Sequence, residues 1–123
     1  MSLSGRLQSF GYAIRGVGVM LRTQHNAWLH AIVSALVLFA GFALEVSNAE
    51  WQIIVLAFVA VWAAEAMNTA LEFLCDVASA EHHPLIEKAK DVAAGGVLLS
   101  ALGAAVIGLL IFVPRVLALV GYD

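Results

Sequence analysis

Three runs of mostly apolar residues, 27–46, 51–74 and 92–113, constrain this chain more than any other feature. A helix needs roughly 20 such residues to cross the hydrocarbon core of a bilayer, and each run is long enough. The first is interrupted only by His30, Ser34 and Glu45. The second carries Glu65, Asn68, Thr69 and Glu72, and the third has no charge before Pro114 and Arg115, which are expected to end or kink it. Composition agrees. Of 123 residues, 63% are hydrophobic and 12% charged, against roughly 45–50% and 25% in soluble domains. A single domain this small buries too little of its surface to hide that much apolar area from water. A soluble enzyme, a disordered chain and a disulfide scaffold are excluded, the last because Cys75 is the lone cysteine. A net charge of -3 argues against a nucleic-acid partner.

Residues 1–26 have another character. Leu7, Phe10, Ile14, Val17 and Leu21 recur at the spacing of one helical face, while Arg6, Gln8, Arg15 and Arg22 fall largely elsewhere. This predicts a basic amphipathic helix in the membrane interface. Gly5, Gly11, Gly16 and Gly18 lower helix propensity and keep a disordered segment as the alternative. No apolar block of signal-peptide length precedes a small-residue cleavage site, so no cleavable signal is expected. Five of the six Lys and Arg residues precede the first run or lie between the second and third. The positive-inside rule therefore puts the N-terminus and an expected loop over 75–91 in the cytoplasm, and the C-terminus outside. Glycine and alanine are dense in the third run, as for closely packed helices. A polar face on one of only three spans would meet lipid unless another chain covered it, so a homo-oligomer is expected.

That polar face is the informative feature. Glu65, Asn68, Thr69, Glu72 and Asp76 lie at i, i+3, i+4, i+7 and i+11, on one side of a helix. An acidic residue at the centre of a spanning helix costs roughly 2.5–3.5 kcal/mol. Ionisable groups in such places point to function. Carboxylates one turn apart suit Mg²⁺ that keeps waters and gains phosphate oxygens. Another carboxylate can take a proton from a hydroxyl, and Lys90 can neutralise phosphate charge. Phosphoryl transfer needs mostly positioning and electrostatics. The soluble kinase motifs are missing from the sequence. Spacing alone leaves a proton- or cation-coupled transporter as an equal reading.

The segment Glu65-Ala-Met-Asn68-Thr69-Ala-Leu-Glu72, followed by Asp76, Glu81-His82-His83 and Ala89-Lys90-Asp91, resembles the prokaryotic diacylglycerol kinase and undecaprenol kinase family. These are small membrane lipid kinases with three spans. The resemblance runs from Gly11-Tyr12 through the third run, and the stretch from Arg22 to His30 looks more like the undecaprenol kinase branch. It implies an all-α integral membrane protein of the bacterial inner membrane, working as a homotrimer with sites shared between subunits. ATP and Mg²⁺ are implied, with a lipid alcohol as acceptor, undecaprenol before diacylglycerol. By position, it implies Glu65 as catalytic base and Glu72 as metal ligand. Asn68 belongs near the phosphates, and Tyr12, Glu81, His82, His83, Lys90 and Asp91 contact nucleotide. A second acidic metal ligand of the family falls at Gln24, which offers only a neutral oxygen. Arg22, Asn26 and Trp28 are candidate contacts to the lipid.

Plainer roles compete at several of these positions. For Glu65 and Glu72 the plainer alternative, disfavoured by the cost of burying an acid, is a structural hydrogen-bonded pair, and for Asp76 it is a helix-end role. His82 and His83 before Pro84 suit a turn, and Lys88 a topology marker. His30 reads as a polar residue at a membrane boundary. Trp28 and Trp51 fit an interfacial belt, Trp62 a packing site, and Cys75 is expected to be inert.

Overall fold

The computed structural model describes residues 2–79 and 81–122. These form four helices and no strand: α1 Leu3–Thr23, α2 His25–Ala43, α3 Asn48–Ala78 and α4 Pro84–Leu119. The last three are long and apolar enough to cross a membrane. The chain exposes 9,054 Å², where a soluble globular protein of its mass would expose about 6,300 Å². Most large apolar side chains face outward, including Leu36, Phe39, Leu56, Leu99 and Leu110. This surface is built for contact with hydrocarbon or with other chains.

At 1.5 Å per residue, α2 is about 28 Å long, close to the roughly 30 Å hydrocarbon core. With 31 and 36 residues, α3 and α4 reach about 46 and 54 Å and must project beyond it. They do so as helix. The loop expected over 75–91 is therefore corrected: α3 continues to Ala78, and α4 begins at Pro84. The start of α4 carries its own signals. His83 is the N-cap, its Nδ1 accepting from the Leu85 amide at 3.2 Å, and Pro84 occupies the first turn, where no amide is needed. Apolar length marks where a helix meets lipid, and helix propensity continues past it.

The spans run antiparallel. His30 of α2 meets Glu65 of α3 at one end, and Gly41 meets the Trp51 ring at the other. Likewise Asp76 pairs with Lys90, while Ile111 packs near Ile54. The N-termini of α2 and α4 thus share one end with the C-terminus of α3. At the opposite end, Val46, Ile54 and Ile111 form the apolar cluster, with Val37, Trp51, Ile107 and Phe112 against it. Here the α2–α3 turn passes through Glu45 at φ 51°, a left-handed conformation that favours glycine. Ser47 and Glu50 form a reciprocal capping box at the start of α3. Helix α4 does not stop at Pro114 but continues to Leu119. Arg115 then donates to the Leu44 and Glu45 carbonyls at 3.1 and 3.2 Å and pairs with the Glu50 carboxylate. One guanidinium fastens α4 to the turn between α2 and α3, satisfying carbonyls that the end of α2 leaves free.

Helix α1 starts at the Ser2 cap. Its apolar stripe (Leu7, Phe10, Ile14 and Val17) remains exposed, as an interfacial helix requires. The glycines of α4 are not needed for close contacts within the chain: a Cβ built on Gly95, Gly96, Gly103 or Gly108 meets nothing within 4 Å.

Candidate active site

Half of α3 presents a polar stripe to the interior. Glu65 has no exposed surface, and Asn68 and Thr69 are buried beside it. Helical geometry stacks these residues one turn apart. Thr69 Oγ1 donates to the Glu65 carbonyl at 2.8 Å. The Asn68 amide donates through Nδ2 to Glu72 Oε1 at 3.2 Å, leaving its own Oδ1 buried without a partner. Both carboxyl oxygens of Glu65 also lack a hydrogen bond among the described residues. His30 Nε2 stands 3.4 Å from Glu65 Oε2, within charge-pair reach but outside hydrogen-bond alignment. Buried polar atoms in native proteins are nearly always paired. Three orphaned oxygens on adjacent turns mark a place prepared for something else.

Two cavities lie along α3 to either side of this stripe, lined by α3 residues up to Trp62 and from Cys75 onward. One, of about 400 Å³, lies between the end of α3 and the start of α4, with Asp76, Glu81, His82, His83, Lys90 and Asp91 in its lining. Lys90 Nζ is 3.6 Å from Asp76 Oδ1, and His82 Nε2 is 3.2 Å from Glu87 Oε2. These groups are largely exposed, so the charges are free to turn toward a ligand. The other cavity, of about 360 Å³, is apolar and lies among α2, α3 and α4. Its polar lining is limited to His30, Ser34 and Trp62, and Trp62 Nε1 donates to Ser34 Oγ at 3.1 Å. The site therefore has a charged compartment at the helix ends, an oily compartment within the span, and buried Glu65 beside the residue that edges the second.

The structure brings together most of the residues singled out by sequence. Glu65, Asn68 and Glu72 share one face, while Glu81, His82, His83, Lys90 and Asp91 share one cavity. It does not bring in the N-terminal set. Tyr12 is exposed on α1 with the Arg15 guanidinium 5.7 Å above its ring. Arg22 sits in the last turn of α1, and Gln24 joins α1 to α2. Asn26 and Trp28 are exposed in the first turns of α2. Among the described residues, no side-chain hydrogen bond links any of these five to α3. His30 is the residue whose contact with the site sequence reasoning missed. Its signal was the i, i+4 pair His30 and Ser34 in an otherwise apolar run, facing Trp62 and Glu65 across the helix interface.

Residues 11–112 match the family model described as prokaryotic diacylglycerol kinase. The chain belongs to that family. It is 43% identical over 108 residues to the undecaprenol kinase of Bacillus subtilis, covering 88% of each chain. It is 35% identical over 114 residues to the diacylglycerol kinase of Synechocystis, covering 92% of this chain and 65% of that relative. As a member, the chain is a membrane lipid kinase. The matched region takes in the acidic stripe, both cavities and most of α1.

Proposed function

We propose that this kinase transfers the γ-phosphoryl group of ATP to the hydroxyl of undecaprenol, with diacylglycerol as the second choice of acceptor. The higher identity, spread over nearly the full length of both chains, favours undecaprenol. The observation that carries the reading is the fully buried Glu65 carboxyl with two unpaired oxygens, in contact with His30 at the edge of the oily cavity. A base in that place meets an alcohol arriving from the bilayer. Glu65 takes the hydroxyl proton. The freed oxygen pair forms a bond to the γ-phosphorus, the bond from phosphorus to the β–γ bridging oxygen breaks, and ADP leaves with that electron pair.

Lys90, Asp91, Glu81, His82 and His83 line the nucleotide side, where Lys90 exchanges Asp76 for phosphate. The residues fit Mg²⁺ as well. Asn68 Oδ1 is an unpartnered buried oxygen, and Glu72 stands one turn away. Mg²⁺ needs only one or two carboxylates when waters and phosphates complete its shell. Among the described residues no three His, Cys, Asp or Glu side chains form a cage, which suits this hydrated mode. Glu72 and Asn68 would hold the ion, and when bound it supplies charge neutralisation at the β- and γ-phosphates. Gln24, Tyr12, Arg22, Asn26 and Trp28 line neither cavity of one chain. We place them in a homotrimer whose neighbouring subunit completes the site, with the uncovered glycines of α4 available for helix contact. The charged end faces the cytoplasm of a bacterial inner membrane, by the Lys and Arg distribution.

The test supplies purified protein in open detergent micelles with ATP, Mg²⁺ and a panel of lipid alcohols. Phosphorylated undecaprenol in excess over phosphatidic acid is expected. No lipid phosphorylation in micelles, with ion flux in sealed vesicles instead, would replace this reading by the transporter.

A further inference from the structure

The His30–Glu65 contact joins two helices inside the membrane span, and the chemistry proposed above does not by itself require it. Glu65 has no exposed surface, and the His30 side chain is 15% exposed. His30 makes the one ion-pair contact to Glu65 among the described residues, through Oε2 only. The imidazole is itself held. Its ring stands edge-on to Trp62, centroids 6.3 Å apart at 63°, and Trp62 is pinned to Ser34, one turn further along the helix that carries His30. Helix α4 lines the apolar cavity beside His30 with Ala101, Ala104 and Gly108. Among the described residues, His30 is the one charged or hydrogen-bonding side chain in reach of the Glu65 carboxyl.

We propose that His30 is a positioning residue for Glu65: it occupies Oε2 and leaves Oε1 directed at the incoming lipid hydroxyl. The inference rests on Glu65 being the base. At 3.4 Å the imidazole is within reach of Oε2, and catalytic hydrogen bonds tighten in the reacting complex. Without the imidazole, no charged or hydrogen-bonding contact among the described residues holds the carboxyl. Misplacement on the order of 1 Å at a reacting group costs about a hundredfold in rate. His30 lines the oily cavity but not the charged one, and glutamine or leucine keeps comparable bulk there, so substrate affinity is not expected to share that loss.

The experiment compares His30→Gln with His30→Leu in the full-length protein, using ATP and undecaprenol in mixed micelles. Glutamine carries an amide nitrogen close to the position of Nε2, and leucine fills the space without a donor. His30→Leu is expected to lose about tenfold to a hundredfold in kcat, with both KM values within about twofold of wild type. His30→Gln is expected to recover most of kcat. Equal kcat in the two variants, or a loss confined to KM, overturns the inference. Should His30→Leu fail to fold, His30→Asn takes its place with the same expectation, because its amide falls one methylene short. Glu65→Gln separates the two levels of reading. If it is inactive while His30→Leu matches wild type, only the role of His30 falls. If Glu65→Gln turns over normally, the base assignment fails and His30 goes with it.

Discussion

Replacing Glu65 by glutamine should make the protein slower and more stable at once. The carboxyl is fully buried, its two oxygens have no hydrogen bond, and its one ionic neighbour is a half-withdrawn histidine. Burying an ionised carboxylate carries an effective penalty of several kcal/mol, which a single imperfect pair does not offset. Glutamine has the same shape without the charge. Its amide can hydrogen-bond the His30 ring nitrogen, turning a loose contact into a hydrogen bond worth about 1 kcal/mol. Loss of a general base costs about 10²–10⁴ in rate, or about 3–5 kcal/mol of barrier. The two effects have opposite sign, the pattern of a site kept strained for function. Turnover would be measured as transfer of labelled phosphate from ATP to undecaprenol in mixed micelles. Stability has a built-in reporter, since Cys75 is the sole cysteine and is buried. Its reaction with a thiol dye on heating follows unfolding. A Glu65→Gln protein that is inactive and also exposes Cys75 at lower temperature would show a structural role and refute the reasoning. Wild-type turnover in a folded variant would refute it outright.

Three further outcomes follow from the geometry. A methyl on Gly41 would lie 2.4 Å from the Trp51 ring, which is itself packed on Phe42 and the apolar cluster. Gly41→Ala should therefore unfold about 1–3 kcal/mol more easily than Gly108→Ala, which gains the same helix propensity in open space; equal thiol-dye midpoints would contradict this. Arg115→Met releases two carbonyls and a carboxylate at the end remote from Glu65. It should lower the unfolding midpoint while leaving kcat and KM at low temperature unchanged, and a selective loss of activity would place that clasp in the mechanism. Lys90→Met should raise KM for ATP by about tenfold to a hundredfold, the worth of one charged hydrogen bond. Its stability should hardly move, because the Asp76 pair it breaks is exposed; unchanged ATP kinetics would remove Lys90 from the nucleotide side.

The apolar runs were enough to find the three spans, because a bilayer demands length and apolarity that nothing else in so short a chain would explain. Spacing alone also set the stripe of Glu65, Asn68, Thr69 and Glu72, since helical periodicity fixes which residues share a face before any packing is known. Hydropathy could not see that α3 and α4 continue past the membrane through residues 75–78 and 84–91. Those turns are held by caps and by contact between the helices, and a polarity profile carries neither. Nor could it find Arg115 reaching the Leu44 and Glu45 carbonyls, 71 and 70 residues away in sequence. The partner of Glu65 was likewise hidden. His30 and Glu65 lie 35 positions apart, and their meeting depends on how far α2 slides along α3, a register set by Gly41 against Trp51 and by Trp62 against Ser34. Periodicity assigns a residue to a face; only the packing of one helix on another decides what that face touches.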